Sequence, residues 1–293
     1  MPYFSVCIPT YNRKYLLKRN LKYLEKQTFK NFEVIIVDDG STDGTSDFVG
    51  NYSLSSKLNI HYLHKENGGK YRALNLAIKH AVGKYFMIVD SDEYLLKNTL
   101  KNMYILSKRY SGKYGIIGKA MNTNGKILGD ALPENIELIS YVDFHFNYLT
   151  KKFGDCCECN LTSYLKENLF PENYAIKFIP ESYVFNNLGL SNKLVVTNDI
   201  FKVIDYQADG ITNNYNNGFK EKNYLGYLLD YTNDINNIFV NSKVKWVSKL
   251  KIWIKYWHLK EYDLKNEAPS VQYIGITGNI SKRLYRIVFK LKK

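Results

Sequence analysis

Four apolar runs recur within the first ninety residues, at Phe4 to Ile8, Phe32 to Val37, Asn59 to His64 and Lys84 to Val89. Helix-period stretches separate them. Tyr15 to Lys26 carries Leu16, Leu17, Leu21 and Leu24 on one stripe, and Gly68 to Val82 turns Ala73, Leu74, Ala77, Ile78 and Ala81 to one side. A short helix after the second run has Ser41 or Thr42 available as its cap. Strand and helix alternating in this way demand a parallel sheet with crossover helices, an α/β fold. Such a sheet delivers the loop after each strand to one edge, where open α/β sheets bind ligands.

Past Asp92 the pattern loosens. Leu95 to Tyr110 reads as a helix, Gly115 to Met121 as a strand and Asn122-Thr123-Asn124-Gly125 as a hairpin turn. Helical signal returns weakly near residues 140–150, 160–168 and 181–188. Ile200 to Tyr206 reads as a strand and Asp209-Gly210 as a turn. The Asn-, Gly- and Lys-rich stretch from Asn213 to Tyr224 suits a mobile loop or a boundary. The expected organisation is a catalytic domain over residues 1–225, with a nucleotide-binding half (1–95) and an acceptor-binding half (96–225), followed by a basic aromatic helical extension over 226–293.

With 293 residues, 45% hydrophobic and 24% charged, the chain buries a full core and is not a disordered segment. Four cysteines (Cys7, Cys156, Cys157, Cys159) make no disulfide framework at this length, and the 156–159 cluster lacks the second pair a closed zinc site needs. Reduced thiols, the absence of a charged-then-apolar leader and the lack of an uncharged span of about 18 apolar residues imply a cytoplasmic protein. His61 and His64 read as satisfied strand histidines.

Three polar loops follow the first, second and fourth strands: Pro9-Thr10-Tyr11-Asn12-Arg13, Asp38-Asp39-Gly40-Ser41-Thr42-Asp43 and Asp90-Ser91-Asp92. The last puts two hard oxygen donors one residue apart at the rim of the sheet, a pair suited to Mg²⁺ or Mn²⁺ carrying a diphosphate. Asp39 has the chemistry to accept a nucleobase N–H, and Tyr11 offers a ring to stack on. Glu66-Asn67-Gly68-Gly69-Lys70-Tyr71-Arg72 opens a helix with amides and two cations, chemistry that favours phosphate oxygens. Taken singly, Asp-Ser-Asp, Asp-Asp-Gly-Ser and Gly-Gly are also ordinary turns and caps. None matches the dinucleotide or P-loop fingerprints, which argues against hydride transfer and a Walker-type ATPase.

In order and spacing these segments, Ser5 to Arg13, Gln27-Thr28, Phe32 to Asp43, Asn67-Gly68-Gly69 to Asn75 and Asp90-Ser91-Asp92, resemble the family-2 glycosyltransferases of the GT-A fold over roughly residues 3 to 100. A fainter resemblance, to relatives that build bacterial surface polysaccharides, runs through Gly154-Asp155, Glu158, Phe178 to Ser182 and Tyr206 to Gly210. The resemblance implies a Rossmann-like nucleotide-sugar domain with a mixed sheet. It also implies an inverting transfer from a nucleotide-diphosphate sugar, a UDP-sugar by preference, to a glycan or lipid-linked acceptor. On that model Pro9, Thr10, Tyr11, Arg13, Asp39, Lys70, Arg72, Asp90 and Ser91 bind the nucleotide. Asp92, with Asp90, holds Mn²⁺ or Mg²⁺. Glu181 is the base, although Ser182 stands where the family more often has a second acid, and a helix cap is the competing role for Glu181. Asp155 and Glu158 are acceptor-site candidates. Two other classes stay open: a metal-dependent nucleotidyltransferase, and a non-catalytic membrane-associated scaffold of the same fold.

The formal charge of +13 is concentrated. From Asn241 onward thirteen Lys and Arg stand against Glu261, Asp263 and Glu267, leaving only +3 for the first 240 residues. Trp246, Trp253 and Trp257 share one helical side with Leu250 and Ile254, with Lys245, Lys249, Lys251 and Lys255 on the flanks, and Ser281 to Lys293 repeats that chemistry. Such a tail is suited to an anionic membrane surface on the inner face of the cell membrane, holding the protein there peripherally. The alternative is a Trp stripe packed on the catalytic domain with the lysines facing water, and no nucleic-acid fold precedes the tail to favour that partner.

Overall fold

The computed structural model describes residues 1–133, 136–148, 152–173, 176–208, 210, 218–272 and 274–290. The chain divides into two compact units, one made of Met1–Ile139, Lys151–Leu169 and Asn192–Gln207, the other of Ser140–Thr150, Phe170–Ser191 and Ala208–Lys293.

In the first unit the expected alternation forms as β1 (Phe4–Thr10), α1 (Lys14–Glu25), β2 (Phe32–Asp38), α2 (Thr45–Ser55), β3 (Ile60–His64), α3 (Lys70–His80) and β4 (Tyr85–Ile88). β1 lies between β2 and β4, and β2 beside β3, all parallel. The sheet continues with β5 (Glu93–Leu95), α4 (Thr99–Arg109), β6 (Gly115–Asn122), β7 (Leu138–Ile139), β8 (Cys156–Leu161), α5 (Thr162–Glu167) and, after α6 of the second unit (Ser182–Ser191), β9 (Leu194–Ile204). Its order is β3-β2-β1-β4-β8-β6-β9-β5, with β7 on β9. β8 runs antiparallel to both β4 and β6, so the sheet is mixed.

Pleat alternation sends Phe4, Val6 and Ile8 of β1, with Val34 and Ile36 of β2, into one fully buried cluster with Leu17, Leu21 and Leu24 of α1, Val49 of α2 and Leu100 and Met103 of α4. Each such leucine contributes about 1.5–3 kcal/mol. α3 packs on β1 and β2 through buried Ala73, Leu74, Ala77 and Ile78.

Several expectations shift. The residues between Asp92 and α4 add β5 before the helix begins at Thr99, because Glu93 pairs across to Ile204. The cysteine cluster is β8, a central strand, and all four cysteines are buried and outside any disulfide. Burial pushes Cys156 up to about 12, so it is protonated at neutral pH. α2 starts two or three residues later than a Thr42 or Ser41 cap would place it. Gly44, with left-handed φ of 81°, precedes it, and Asp43 rather than Ser41 or Thr42 accepts from Thr45 N at 3.2 Å and Thr45 Oγ1 at 2.6 Å. The 122–125 turn forms as expected, with Gly125 at φ 78°. Asp209, and residues 213–217 of the expected loop, lie outside the described residues.

The second unit is helical. α6, α7 (Tyr224–Asn233), a π-helical turn (Asp234–Ile238), α8 (Trp246–Lys260) and α9 (Gly275–Lys290) surround a core of Val142, Phe146, Tyr227, Leu228, Tyr231, Ile235, Ile238, Ile252, Trp253, Tyr256 and Leu259. Trp253 is 3% exposed and Trp246 51%. Trp257 donates from Nε1 to Ser281 Oγ of α9 at 3.1 Å. The Trp stripe therefore points mainly into this unit's own core. The lysines do not all face water either: Lys255 is driven below its ordinary pKa by burial and Lys220, against the pull of Asp230 and Asp234.

Candidate functional site

Parallel pairing sets the site. Thr10 sits level with Asp38 across β1 and β2, and Cys7 with Ile88 across β1 and β4, so the loops after all three strands leave one sheet edge. The first two loops are laced together. Asn12, left-handed at φ 51°, accepts from Thr42 N at 2.8 Å, and its own N–H donates to Ser41 Oγ at 2.8 Å. Pro9 pairs with Val37 inside the sheet; Thr10 is buried beside it, and Tyr11 is half exposed.

The adjacent aspartates differ in task. Asp38, fully buried, accepts from Ser41 N at 2.7 Å and the Tyr62 hydroxyl at 2.6 Å, which fixes the turn. Asp39 reaches across to the start of α3. It accepts from Gly68 N at 2.9 Å and Gly69 N at 2.8 Å, and pairs with Lys65. The amides expected to favour phosphate are thus spent on an internal carboxylate. Asn67 Nδ2 also donates to Asp39 Oδ2, at 3.4 Å, so about four donors meet the four or so lone-pair sites of the carboxylate, the Asn67 bond being the longest.

The Asp-Ser-Asp corner is held by cations. Lys70 Nζ pairs with Asp90 Oδ2 at 2.6 Å and Arg13 with Asp92 Oδ2 at 3.2 Å. Arg72 donates from Nε to the Tyr71 hydroxyl at 2.9 Å. Burial alone would raise Asp90, but Lys70, helped by Lys202 and Arg13, holds it below the usual aspartate value. Burial and the neighbouring Asp90 charge raise Asp92 against the pull of Arg13. Ser91 between them is buried. Asp90 Oδ1 is buried and accepts no hydrogen bond among the described residues.

Behind this corner lies a frame that sequence reasoning missed. Glu93 accepts from Asp90 N at 3.1 Å and pairs with Lys202 Nζ at 2.8 Å, both side chains nearly fully buried. Burial pushes Glu93 up to about 7, against the pull of Lys202. Asn20 donates to Asp90 O at 3.1 Å, and Arg19 and Asp205 N both donate to Asp92 O. The signal was a lysine inside the apolar run Phe201-Lys202-Val203-Ile204, a residue almost never fully buried without a partner.

Asp155 accepts from the Tyr206 hydroxyl at 2.5 Å, which places it beside the end of β9, and Glu158 stands on β8 opposite Ile117. Glu181 belongs to the second unit, where its carbonyl accepts from Val184 N and Phe185 N at the start of α6. His61 pairs with buried Glu33 at 3.3 Å.

The model of glycosyl transferase family 2 matches residues 5–165. The chain belongs to this family. A Campylobacter jejuni GalNAc(5)-diNAcBac-PP-undecaprenol beta-1,3-glucosyltransferase is 29% identical over 99% of this chain and 88% of its own length. The Staphylococcus aureus poly(ribitol-phosphate) beta-N-acetylglucosaminyltransferase TarS is 42% identical over 101 residues, 34% of this chain, and an uncharacterised Rickettsia conorii glycosyltransferase is 33% identical over 58% of it. This family-2 chain matches 18% of TarS and 27% of the Rickettsia protein. The crystal structure of TarS 1–349 with UDP-GlcNAc superposes with a TM-score of 0.62 at 21% identity, covering 97% of this chain and 80% of that one. A Pyrobaculum calidifontis mannosyltransferase with GDP-Man and Mn²⁺ gives 0.55 at 17% identity, covering 98% and 76%. The fold is the GT-A type that the sequence implied.

Proposed function

We propose that this family-2 chain moves a sugar, with inversion, from a UDP-sugar to a glycan or lipid-linked acceptor in the synthesis of a bacterial surface polymer. The observation that carries the reading is the Asp90–Asp92 corner, built at the same sheet edge as Tyr11 and Asp39. The names of the relatives support the donor and acceptor classes: UDP-GlcNAc stands with TarS, and the Campylobacter and Staphylococcus enzymes are named for a polyprenyl-diphosphate glycan and a poly(ribitol-phosphate).

The corner fits a divalent cation, since two carboxylates supply hard oxygens and Asp90 Oδ1 is buried without a partner among the described residues. Asp90 and Asp92 would hold Mn²⁺ or Mg²⁺, which when bound supplies Lewis-acid neutralisation of the departing diphosphate. The chain's own residues do the rest. Tyr11 stacks on the base, and Asp39 accepts its N–H in place of the long bond from Asn67 Nδ2. Pro9, Thr10 and Ser91 shape the nucleoside pocket, and Lys70, Arg72 and Arg13 attract diphosphate oxygens. Glu181 takes the proton of the acceptor hydroxyl as the new C–O bond forms and the anomeric bond to the nucleotide breaks, in one displacement. Asp155 and Glu158 orient the acceptor. Residues 1–225 carry this chemistry, and the basic extension over 226–293 meets an anionic membrane surface, as a lipid-linked acceptor requires.

Two substitutions test the roles. Asp92→Asn should abolish turnover and weaken Mn²⁺-dependent UDP binding in calorimetry. Glu181→Gln should keep UDP affinity and lower turnover by about 10²–10⁴; wild-type turnover in that variant removes Glu181 from the mechanism. Release of pyrophosphate from a nucleoside triphosphate, with no UDP formed from sugar donors, would instead identify a nucleotidyltransferase.

A further inference from the structure

α9 is apolar on two sides. One is packed: Ser281 and Tyr285 are buried, and Gly278 lies so close to the Trp253 ring that an added Cβ would meet it at 2.9 Å. On the other side Ile276, Ile280, Leu284 and Ile287 are 79%, 38%, 37% and 57% exposed. Their spacings of four, four and three residues put them within about 80° of one another around the helix. Arg283 and Arg286, both exposed, line one edge of this stripe, and Lys282 beyond them rests its Nζ 4.7 Å from the centre of the Trp257 ring. No helix among the described residues is long and apolar enough to cross a membrane.

We propose that this outer face of α9, and not the Trp stripe of α8, is the surface that docks on a membrane leaflet bearing anionic phospholipids. The inference rests on the reading that the basic extension meets such a surface, and it says which side chains do so. An apolar stripe edged by arginines is the pattern of a helix lying in the interface, with isoleucine and leucine among the acyl chains and guanidinium groups at the phosphates. The concentration of charge, +10 of the chain's +13 in residues 241–293, favours an anionic partner. It disfavours a second copy of this chain, since pairing two such faces brings like charges together at the rim. Trp253 and Trp257 are committed to packing, which leaves α8 only Trp246 and Val247, at its first turn, as exposed large apolar side chains.

The test is co-sedimentation of the full chain with vesicles of phosphatidylcholine alone or mixed with phosphatidylglycerol, at low salt. Wild type should partition to the mixed vesicles. Ile280→Glu, Leu284→Glu and Ile287→Glu together should lose about a hundredfold or more in partitioning. Arg283→Gln and Arg286→Gln should each lose about fivefold, on anionic vesicles only. UDP affinity and the circular dichroism spectrum should be unchanged in all, because every altered side chain is exposed and in the second unit. If wild type ignores both vesicle types, the membrane reading of the extension fails and this one with it. Wild type binding with the triple variant binding equally well overturns the assignment of the face alone. A triple variant that changes only from dimer to monomer in light scattering overturns it in favour of self-association.

Discussion

Asp39 joins two segments that are far apart in sequence, the β2 loop and the run from Lys65 to Gly69 that leads into α3, and the approach depends on its neighbour. Gly40 has a φ of +85°, and a Cβ there would lie 2.9 Å from the backbone nitrogen of Asn67. Both the left-handed backbone and the contact penalise any side chain, so Gly40→Ala should cost about 1–3 kcal/mol in urea unfolding. It should also weaken UDP binding by displacing the Asn67 loop from Asp39; an alanine variant of wild-type stability would show that the turn relaxes freely. Asp39→Asn should leave the fold standing but lose UDP affinity, because an amide has only one acceptor oxygen to share among Gly68, Gly69 and Lys65 and presents N–H to the base.

At the scale of elements, the parallel half of the sheet was legible because its signals are local. Leu17, Leu21 and Leu24 repeat at helical spacing, and the strands between are continuous apolar runs. β8 was not, since Cys156-Cys157-Glu158-Cys159-Asn160-Leu161 mixes polar and apolar residues, and only pairing with β4 and β6 makes a strand of it. β5 was hidden for a related reason. Its three residues are fixed by β9, more than a hundred positions away, and by the buried Glu93–Lys202 pair. In the site, the Asp-Ser-Asp corner was visible as a motif, whereas the frame behind it depends on contacts that spacing does not reveal. Glu93→Gln tests that frame. It leaves the Lys202 ammonium buried without its counter-charge and should cost about 3–5 kcal/mol in denaturant unfolding. Because Glu93 also accepts from Asp90 N, UDP affinity in the presence of Mn²⁺ should fall even where the variant is fully folded. Unchanged stability would mean that the pair contributes nothing net.

Stability as a function of pH belongs to the whole molecule, since it sums over every group whose pKa differs between folded and unfolded chains. Asp43, Asp90 and Asp263 lie below their ordinary values in the fold, so each favours folding above that value and loses its contribution on acidification. His145, lowered by burial, also opposes acid, because the unfolded chain takes up a proton that the fold refuses. Asp92, Glu93, Asp230 and Asp234 act in the opposite sense. Burial pushes Asp230 up to about 7, against the Ser182 hydroxyl that donates to it at 2.9 Å and against Lys255. Between its unfolded value of 3.8 and about 7 the folded chain therefore binds a proton that the unfolded chain has released, and stability contributed by this group falls as pH rises through that window. Asp230→Asn removes the titration while keeping an oxygen for Ser182. Relative to wild type, the variant should gain on the order of 2–4 kcal/mol between pH 4 and pH 8, with the gain complete near pH 7 and flat beyond it. Urea unfolding at pH 4, 6 and 8 measures the difference directly. Parallel stability curves for the two proteins would show that Asp230 is ionised throughout, with Lys255 compensating its burial more fully than the desolvated setting between α7 and α6 implies.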